Sequence, residues 1–209
     1  MDTLEKILNS SIELFSQYGF KTITMDDIAR RAGISKKTLY QHFANKAEVV
    51  NESVTWYKNN TTENCECVLE GAENAIEAMV KMLAFFDDLY KRLNPMAIFE
   101  MQRYFPEAYK KFKDLLIERD VVMVRDNILQ GMEEGVYRKE VNAELMARYR
   151  IETALMALQP TLLVSDRANL ISVAWEIGEH FLYGIMTETG IQSYLQYKEQ
   201  YLKQTITVI

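Results

Sequence analysis

One stretch, Thr24 to Lys46 (TMDDIARRAGISKKTLYQHFANK), constrains this chain more than any other. Thr24 stands before a helical run with a carboxylate three residues on, at Asp27. That spacing is a capping box, in which each side chain meets the other's backbone N–H. Ile28, Ala29 and Ala32 form an apolar face at helical spacing. Gly33 then supplies the left-handed backbone of a tight helix exit. Ser35 is placed to cap a second short helix from about Lys36 to Phe43. Two short helices joined by a glycine turn predict a helix-turn-helix. At roughly 100° per residue, Leu39 and Phe43 share the buried side of the second helix. Lys37 and Gln41 point away from them, flanked by Thr38 and Tyr40. Such an ammonium, amide, hydroxyl and phenol suit phosphates and the base edges of a major groove.

Composition at first opposes that reading, because the formal net charge is −6. Its distribution restores it. Residues 21–46 carry six Lys/Arg (Lys21, Arg30, Arg31, Lys36, Lys37, Lys46) against Asp26 and Asp27, a net of +4. Residues 51–209 carry 17 Lys/Arg against 24 acids, a net of −7. A basic motif on an acidic body favours DNA at one face and repels it elsewhere. The 209 residues, 48% hydrophobic, suffice for a core in one or two domains. Residues 1–20 are amphipathic, with Asp2, Glu5, Lys6 and Glu13, and do not read as a secretory signal. No apolar run reaches the ~18 residues of a membrane span. Cys65 and Cys67 lie one residue apart, too close for an ordinary structural disulfide. Reduced thiols in a cytoplasmic protein are expected, and the Asn60–Thr61–Thr62 sequon is then irrelevant. With only His42 and His180 available, no metal site or cofactor is expected. No GxSxG, phosphate-binding glycine loop or HExxH motif occurs, and an enzyme is not expected.

Along the chain, residues 2–18 read as a first helix (Leu4, Ile7, Leu8, Ser11, Phe15) that completes a three-helix module. Asn45 is placed to cap a fourth helix, which should fray or break near Asn59–Thr62, a patch of weak helix formers. Helical periodicity continues over 71–93, stopped by Asn94–Pro95, and over a short segment from Met96 to Phe105. A long helix follows from Pro106 to about Gly131. Asn142 caps a helix through about Val164 that Pro160 should kink. Two more helices cover 167–188 and the stretch beyond Gly190. Nothing alternates as a strand does. The prediction is all-α, with about nine or ten helices: an N-terminal helix-turn-helix domain over 1–46 and a C-terminal helical regulatory and dimerisation domain over 47–209.

Thr24, Ile28–Ala29, Ala32–Gly33–Ile34–Ser35, Thr38–Leu39–Tyr40, His42–Phe43 and Lys46 together resemble the DNA-binding domain of the tetracycline-repressor (TetR) family of bacterial transcriptional regulators. With the preceding helix, the resemblance covers roughly the first quarter of the chain. It implies phosphate contacts from Thr24, Lys36, Tyr40, His42 and Lys46, with Ser35 at the same face. Lys37, Gln41 and Thr38 are the base-reading candidates. Lys37 stands where relatives often carry a small residue or proline, so base preference does not transfer. The family further implies a homodimer on a pseudo-palindromic operator in double-stranded DNA, paired through two late helices. Leu155, Leu158, Leu162, Trp175, Phe181 and Leu182 are the candidates for that interface. A small-molecule inducer is also implied, in a pocket among Met79, Leu83, Phe86, Tyr90, Phe99, Met101, Tyr104, Tyr109 and Tyr149. A lining rich in Met and Tyr suits an apolar, aromatic or fatty ligand. The same residues at helical spacing equally suit a plain core. A repressor is the expected function; a ligand-independent architectural protein and an activator are the alternatives.

Overall fold

Local signals decide where the helices begin. Asp2, Thr24, Ser35, Asn45, Asn74 and Asn142 each turn a side-chain oxygen to the backbone N–H three residues on. The computed structural model describes residues 2–159 and 167–206. Those caps open α1 (Thr3–Tyr18), α2 (Met25–Ala32), α3 (Lys36–His42), α4 (Lys46–Leu69), α5 (Ala75–Tyr90) and α9 (Ala143–Met156). Between α5 and α9 lie α6 (Ala97–Tyr104), α7 (Pro106–Leu115) and α8 (Val121–Glu133). A π turn at Leu116–Asp120 joins α7 to α8 without leaving helical backbone. Counting these as one rod, and adding α10 (Arg167–Ile185) and α11 (Glu188–Ile206), ten helices form the described residues. No strand occurs among them, apart from one isolated antiparallel bridge between Tyr137 and Met186.

Two apolar clusters hold the helices together. The first joins Ile7, Phe15, Ile28, Leu39, Phe43, Val49 and Val50 to Ile98 and Met101 of α6, Ala108 of α7 and Leu155 of α9. The helix-turn-helix is therefore packed into the same core as the helices behind it. The second gathers α5, α8, α10 and α11 around Met79, Ile128, Tyr137, Leu182 and Tyr194.

Three expectations fail or fall outside the described residues. Helix α4 runs unbroken through Asn59–Thr62. There Asn60 Nδ2 donates to the Trp56 carbonyl and the Thr62 hydroxyl to the Lys58 carbonyl. Those polar side chains fold back on their own helix, and Thr61 and Thr62 are buried, so packing outweighs weak propensity. Gly190 lies inside the first turn of α11 and does not separate two helices. A Cβ there would run into the Val136 carbonyl, which is why the position admits only hydrogen. The Pro160 kink, and Leu162 with it, lies outside the described residues.

Gly131 has a similar reason. Its carbonyl accepts from the N–H groups of Val136 and Tyr137, both at 2.9 Å, which folds the chain back over the end of α8. The fully buried Tyr137 ring then lies where a Cβ of residue 131 would stand. Gly131→Ala should therefore cost about 1–3 kcal/mol by overpacking. In a chain of this size that is a fall of about 2–4 °C in Tm for each kcal/mol. Differential scanning calorimetry checks it; an unchanged Tm would refute the close-approach account.

Candidate nucleic-acid interface and internal cavity

Helix α2 is fixed first. The Thr24 hydroxyl donates to Asp27 Oδ2 at 2.6 Å and accepts from the Asp27 N–H at 3.2 Å. The Thr24 hydroxyl and the Thr24 backbone N–H, which also donates to Asp27 Oδ2 at 3.0 Å, hold the Asp27 carboxyl below its usual range. Gly33 then takes φ 68°, ψ 31°, the left-handed exit the turn requires. Leu39 is fully buried and Phe43 nearly so, which sets the rotation of α3. Its other side is open: Lys36, Lys37, Tyr40, Gln41 and His42 are all exposed.

The charges on this face are not equally available. Arg30 pairs with Asp27 at 3.1 Å, Arg31 with Glu13 at 2.6 Å and Lys36 with Asp26 at 2.7 Å. Asp26 in turn raises the Lys36 pKa through that hydrogen bond. Exposed pairs of this kind are worth little and exchange readily for phosphate. Among the cations of α3, Lys37 alone has no carboxylate partner among the described residues. Ser35 Oγ and Thr38 Oγ1 lie 2.8 Å apart and share a hydrogen bond at the helix start. Thr24 is exposed at the start of α2. Its hydroxyl is engaged by Asp27 but retains a free lone pair.

Lys46 departs from the expected role. Its ammonium turns inward and donates to the backbone carbonyls of Phe20 and Lys21. It also lies 5.4 Å from the centre of the Phe105 ring. Burial lowers its pKa, against Glu100 and Asp27, which raise it. The half-buried side chain ties the start of α4 to the end of α1. The same junction is held by the Lys21 N–H, which donates to Glu100 Oε2 at 2.9 Å, and by the Asn94 N–H, which donates to the Ser16 carbonyl at 2.6 Å.

Behind this junction lies a cavity of about 140 Å³. Ile12, Ser16 and Phe20 of the N-terminal module form one wall. Met82, Phe86, Leu93, Ile98, Met101 and Phe112 give it an apolar lining. Of the pocket residues expected from sequence, Phe86, Tyr90 and Met101 line this cavity, and Leu83 borders a smaller recess beside it. Met79 belongs to the second core cluster, with no exposed surface. Tyr109 packs against the first cluster. Phe99 lies off the lining, half-buried, while Tyr104 and Tyr149 are exposed on the outside. Helical periodicity locates a buried face but cannot tell a filled interior from a hollow one.

The polar wall was not legible in sequence. Lys58 and Asp120 form a buried ion pair at 2.7 Å across α4 and the π turn. Lys58 also donates to the Thr62 hydroxyl. Burial raises the Asp120 carboxyl pKa, while Lys58 opposes the shift. The π turn adds one residue to the helical turn that carries Asp120, a feature common at functional sites. Arg150 reaches the same cavity from α9.

The expected dimer contacts also need correction. Leu155, Leu158, Phe181 and Leu182 are buried within the single chain, and Trp175 is partly buried against its second cluster. Leu155, Leu158, Phe181 and Leu182 thus belong to the chain's own core, while Trp175 keeps part of its surface open. Among the described residues, the exposed large apolar side chains of α9 and α10 are Leu145, Tyr149, Met156 and Tyr183.

Two outcomes follow. Lys58→Met strands the buried Asp120 carboxylate and should cost about 3–5 kcal/mol, most of it regained in Lys58→Met/Asp120→Leu. Urea denaturation of the three proteins checks this; equal losses in single and double variants would contradict a buried pair. Burial also pushes the Cys65 thiol up to about 11, while Cys67 is exposed. A raised pKa means less thiolate at neutral pH. A disulfide reagent at pH 7.5 should therefore label one thiol quickly in the folded protein, and Cys67→Ser should abolish that fast phase.

Residues 7–52, which span the cap, the glycine turn and the exposed α3 face, match the family of bacterial regulatory proteins called tetR. The chain is 24% identical over 157 residues to the HTH-type transcriptional repressor KstR2 of Mycobacterium tuberculosis, covering 74% of this chain and 78% of that one. Its fold is similar to that of a transcriptional regulator from Cytophaga hutchinsonii, with a TM-score of 0.68 and 21% identity, over 88% of this chain and 98% of the other. It is similar, too, to that of FadR from Bacillus subtilis in complex with stearoyl-CoA, with a TM-score of 0.69 and 17% identity, over 87% and 98% of the two chains. No described helix is long and apolar enough to cross a membrane. A helix-turn-helix with this cap and turn, inside a segment that matches the tetR family of bacterial regulatory proteins, is here carried on an all-helical body whose fold is similar to those of solved transcriptional regulators.

Proposed function

We propose that the chain is a homodimeric repressor that holds a pseudo-palindromic operator through two copies of α3 and releases it when a small, largely apolar ligand enters the cavity. The observation that carries the reading is the shared wall. Ile12, Ser16 and Phe20 line the cavity and belong to the module that presents α3. A ligand that binds one arrangement of α1 and α6 better than another shifts the spacing of the two α3 helices, by no more than its difference in affinity. The repressor role accords with KstR2, which is named a repressor, and an apolar ligand with FadR, whose structure holds stearoyl-CoA.

In this reading α3 lies in the major groove. Lys37 and Gln41 read base edges, with Thr38 beside them, Lys37 toward guanine O6/N7 and Gln41 toward adenine N6/N7. Thr24, Ser35, Lys36, Tyr40 and His42 face phosphates. Lys46 acts from inside, as the tie between α4 and α1. Pairing of two chains is assigned to the outer faces of α9 and α10, where Met156, Tyr149 and Tyr183 are exposed. One short recognition helix reads few bases, so two half-sites a helical turn or a multiple apart are needed for specificity.

Selection of DNA from a random pool, followed by gel shift on the winning sequence, tests the reading. A two-fold-symmetric consensus is expected. Lys37→Ala and Gln41→Ala should each lose about 1–3 kcal/mol of discrimination at one base position per half-site. Lys36→Ala should weaken all sequences alike and flatten the salt dependence. An asymmetric consensus, or uniform losses in all three variants, would refute the assignment.

A further inference from the structure

Three charged side chains meet the cavity, and only two neutralise each other. Asp120 answers Lys58. Arg150 has 9% of its surface exposed, and its guanidinium makes no ion pair and no hydrogen bond with the described residues. Beside it stand the face of the Phe181 ring at 6.0 Å, the Tyr90 phenol, and Gly178, where a Cβ would stand 3.7 Å from Nη2. Asp87 borders the same recess, but its Oδ2 faces Lys91 at 3.3 Å and its Oδ1 is buried without a hydrogen-bond partner. Glu152, two residues along α9, points outward to Lys113 at 2.8 Å. A buried cation with no answering anion is costly unless something brings one. Arg150 cannot escape by losing its proton, as a lysine can. Its planar fork is shaped for a carboxylate held by two parallel hydrogen bonds.

We infer that the cavity takes an amphipathic monoanion, its carboxylate paired with Arg150 at the α9–α10 side and its apolar body lying among Phe86, Leu93, Ile98 and Met101 toward Phe20. The inference deepens the proposed regulator by naming the chemical class of its ligand. A purely apolar molecule would fill the lining and leave the Arg150 charge unanswered. A polyanion would find one cation and a long apolar wall. One acidic head on a hydrocarbon chain or ring meets both demands. The acidic head is assigned to Arg150 and the apolar body to the lining that includes Ile12 and Phe20 of the N-terminal module.

Equilibrium dialysis of the full chain tests this with dodecanoate and 1-naphthylacetate, each beside its methyl ester. At least one acid should bind about tenfold or more tighter than its ester, the scale of a charge-assisted hydrogen-bonded pair. Arg150→Met should erase that preference and Arg150→Lys should retain part of it. If neither acid binds, or if acid and ester bind alike, the inference is wrong. It is also wrong if Arg150→Met folds and keeps the preference. Should Arg150→Met fail to fold, the thermal shift of the wild-type chain decides: the acid must raise Tm and its ester must not. Dialysis uses no DNA, so an unselective result in the operator selection would sink the regulator reading and leave the binding result intact.

Discussion

Phe20 is the side chain on which the rest of the molecule turns. Its ring stacks on Phe15 of α1 at 4.8 Å and lies 6.2 Å from Phe105, just before α7. Its carbonyl accepts from Lys46 at the start of α4, and its edge lines the cavity. One residue thus touches the DNA module, the helix that leaves it, and the space where a small molecule would sit. Because protein interiors are close-packed, a change at such a point cannot be absorbed locally. It must move α1, α4 or α6.

That arrangement explains an apparent contradiction in the charges. An acidic chain binds DNA poorly unless its positive surface is confined and oriented. Here the motif cations are mostly paired on the surface with Asp26, Asp27 and Glu13, while Lys46 is drawn inside. What remains open at the centre of α3 is Lys37 beside Gln41. The positive surface is narrow, which makes orientation on a duplex depend on shape and base edges as well as on net attraction.

The body behind the motif follows a different logic. Its apolar clusters supply most of the cohesion, yet polar groups are placed in the wall between them: the Lys58–Asp120 pair, the Tyr90 phenol and Arg150. Ion pairs in such a place rarely add much net stability. Their retention in an otherwise apolar wall is better understood as shaping what the space accepts. The π turn at Leu116–Asp120 belongs to the same design, since it carries Asp120 toward α4 at the cost of regular helix hydrogen bonding.

Every helix start with a side-chain cap, the left-handed exit at Gly33 and the rotation of α3 were determined by sequence, because each depends on atoms within about four residues of one another. Thr24 with Asp27, Ser35 with Thr38 and Asn45 with Glu48 are local pairs, and periodicity alone places Leu39 inside and Lys37 outside. What only the tertiary structure decided are contacts between distant positions. Lys46 meets a carbonyl 26 residues away and Lys58 a carboxylate 62 residues away. The same packing carried α4 unbroken through its weak polar patch. It buried Leu155, Phe181 and Leu182 inside one chain, and separated the Met and aromatic side chains that fill the core from those that line the cavity. It also set Arg150 in an apolar wall without an anion. Helical periodicity specifies which face is buried; what that face meets depends on which other helices pack against it, and that is a property of the whole fold.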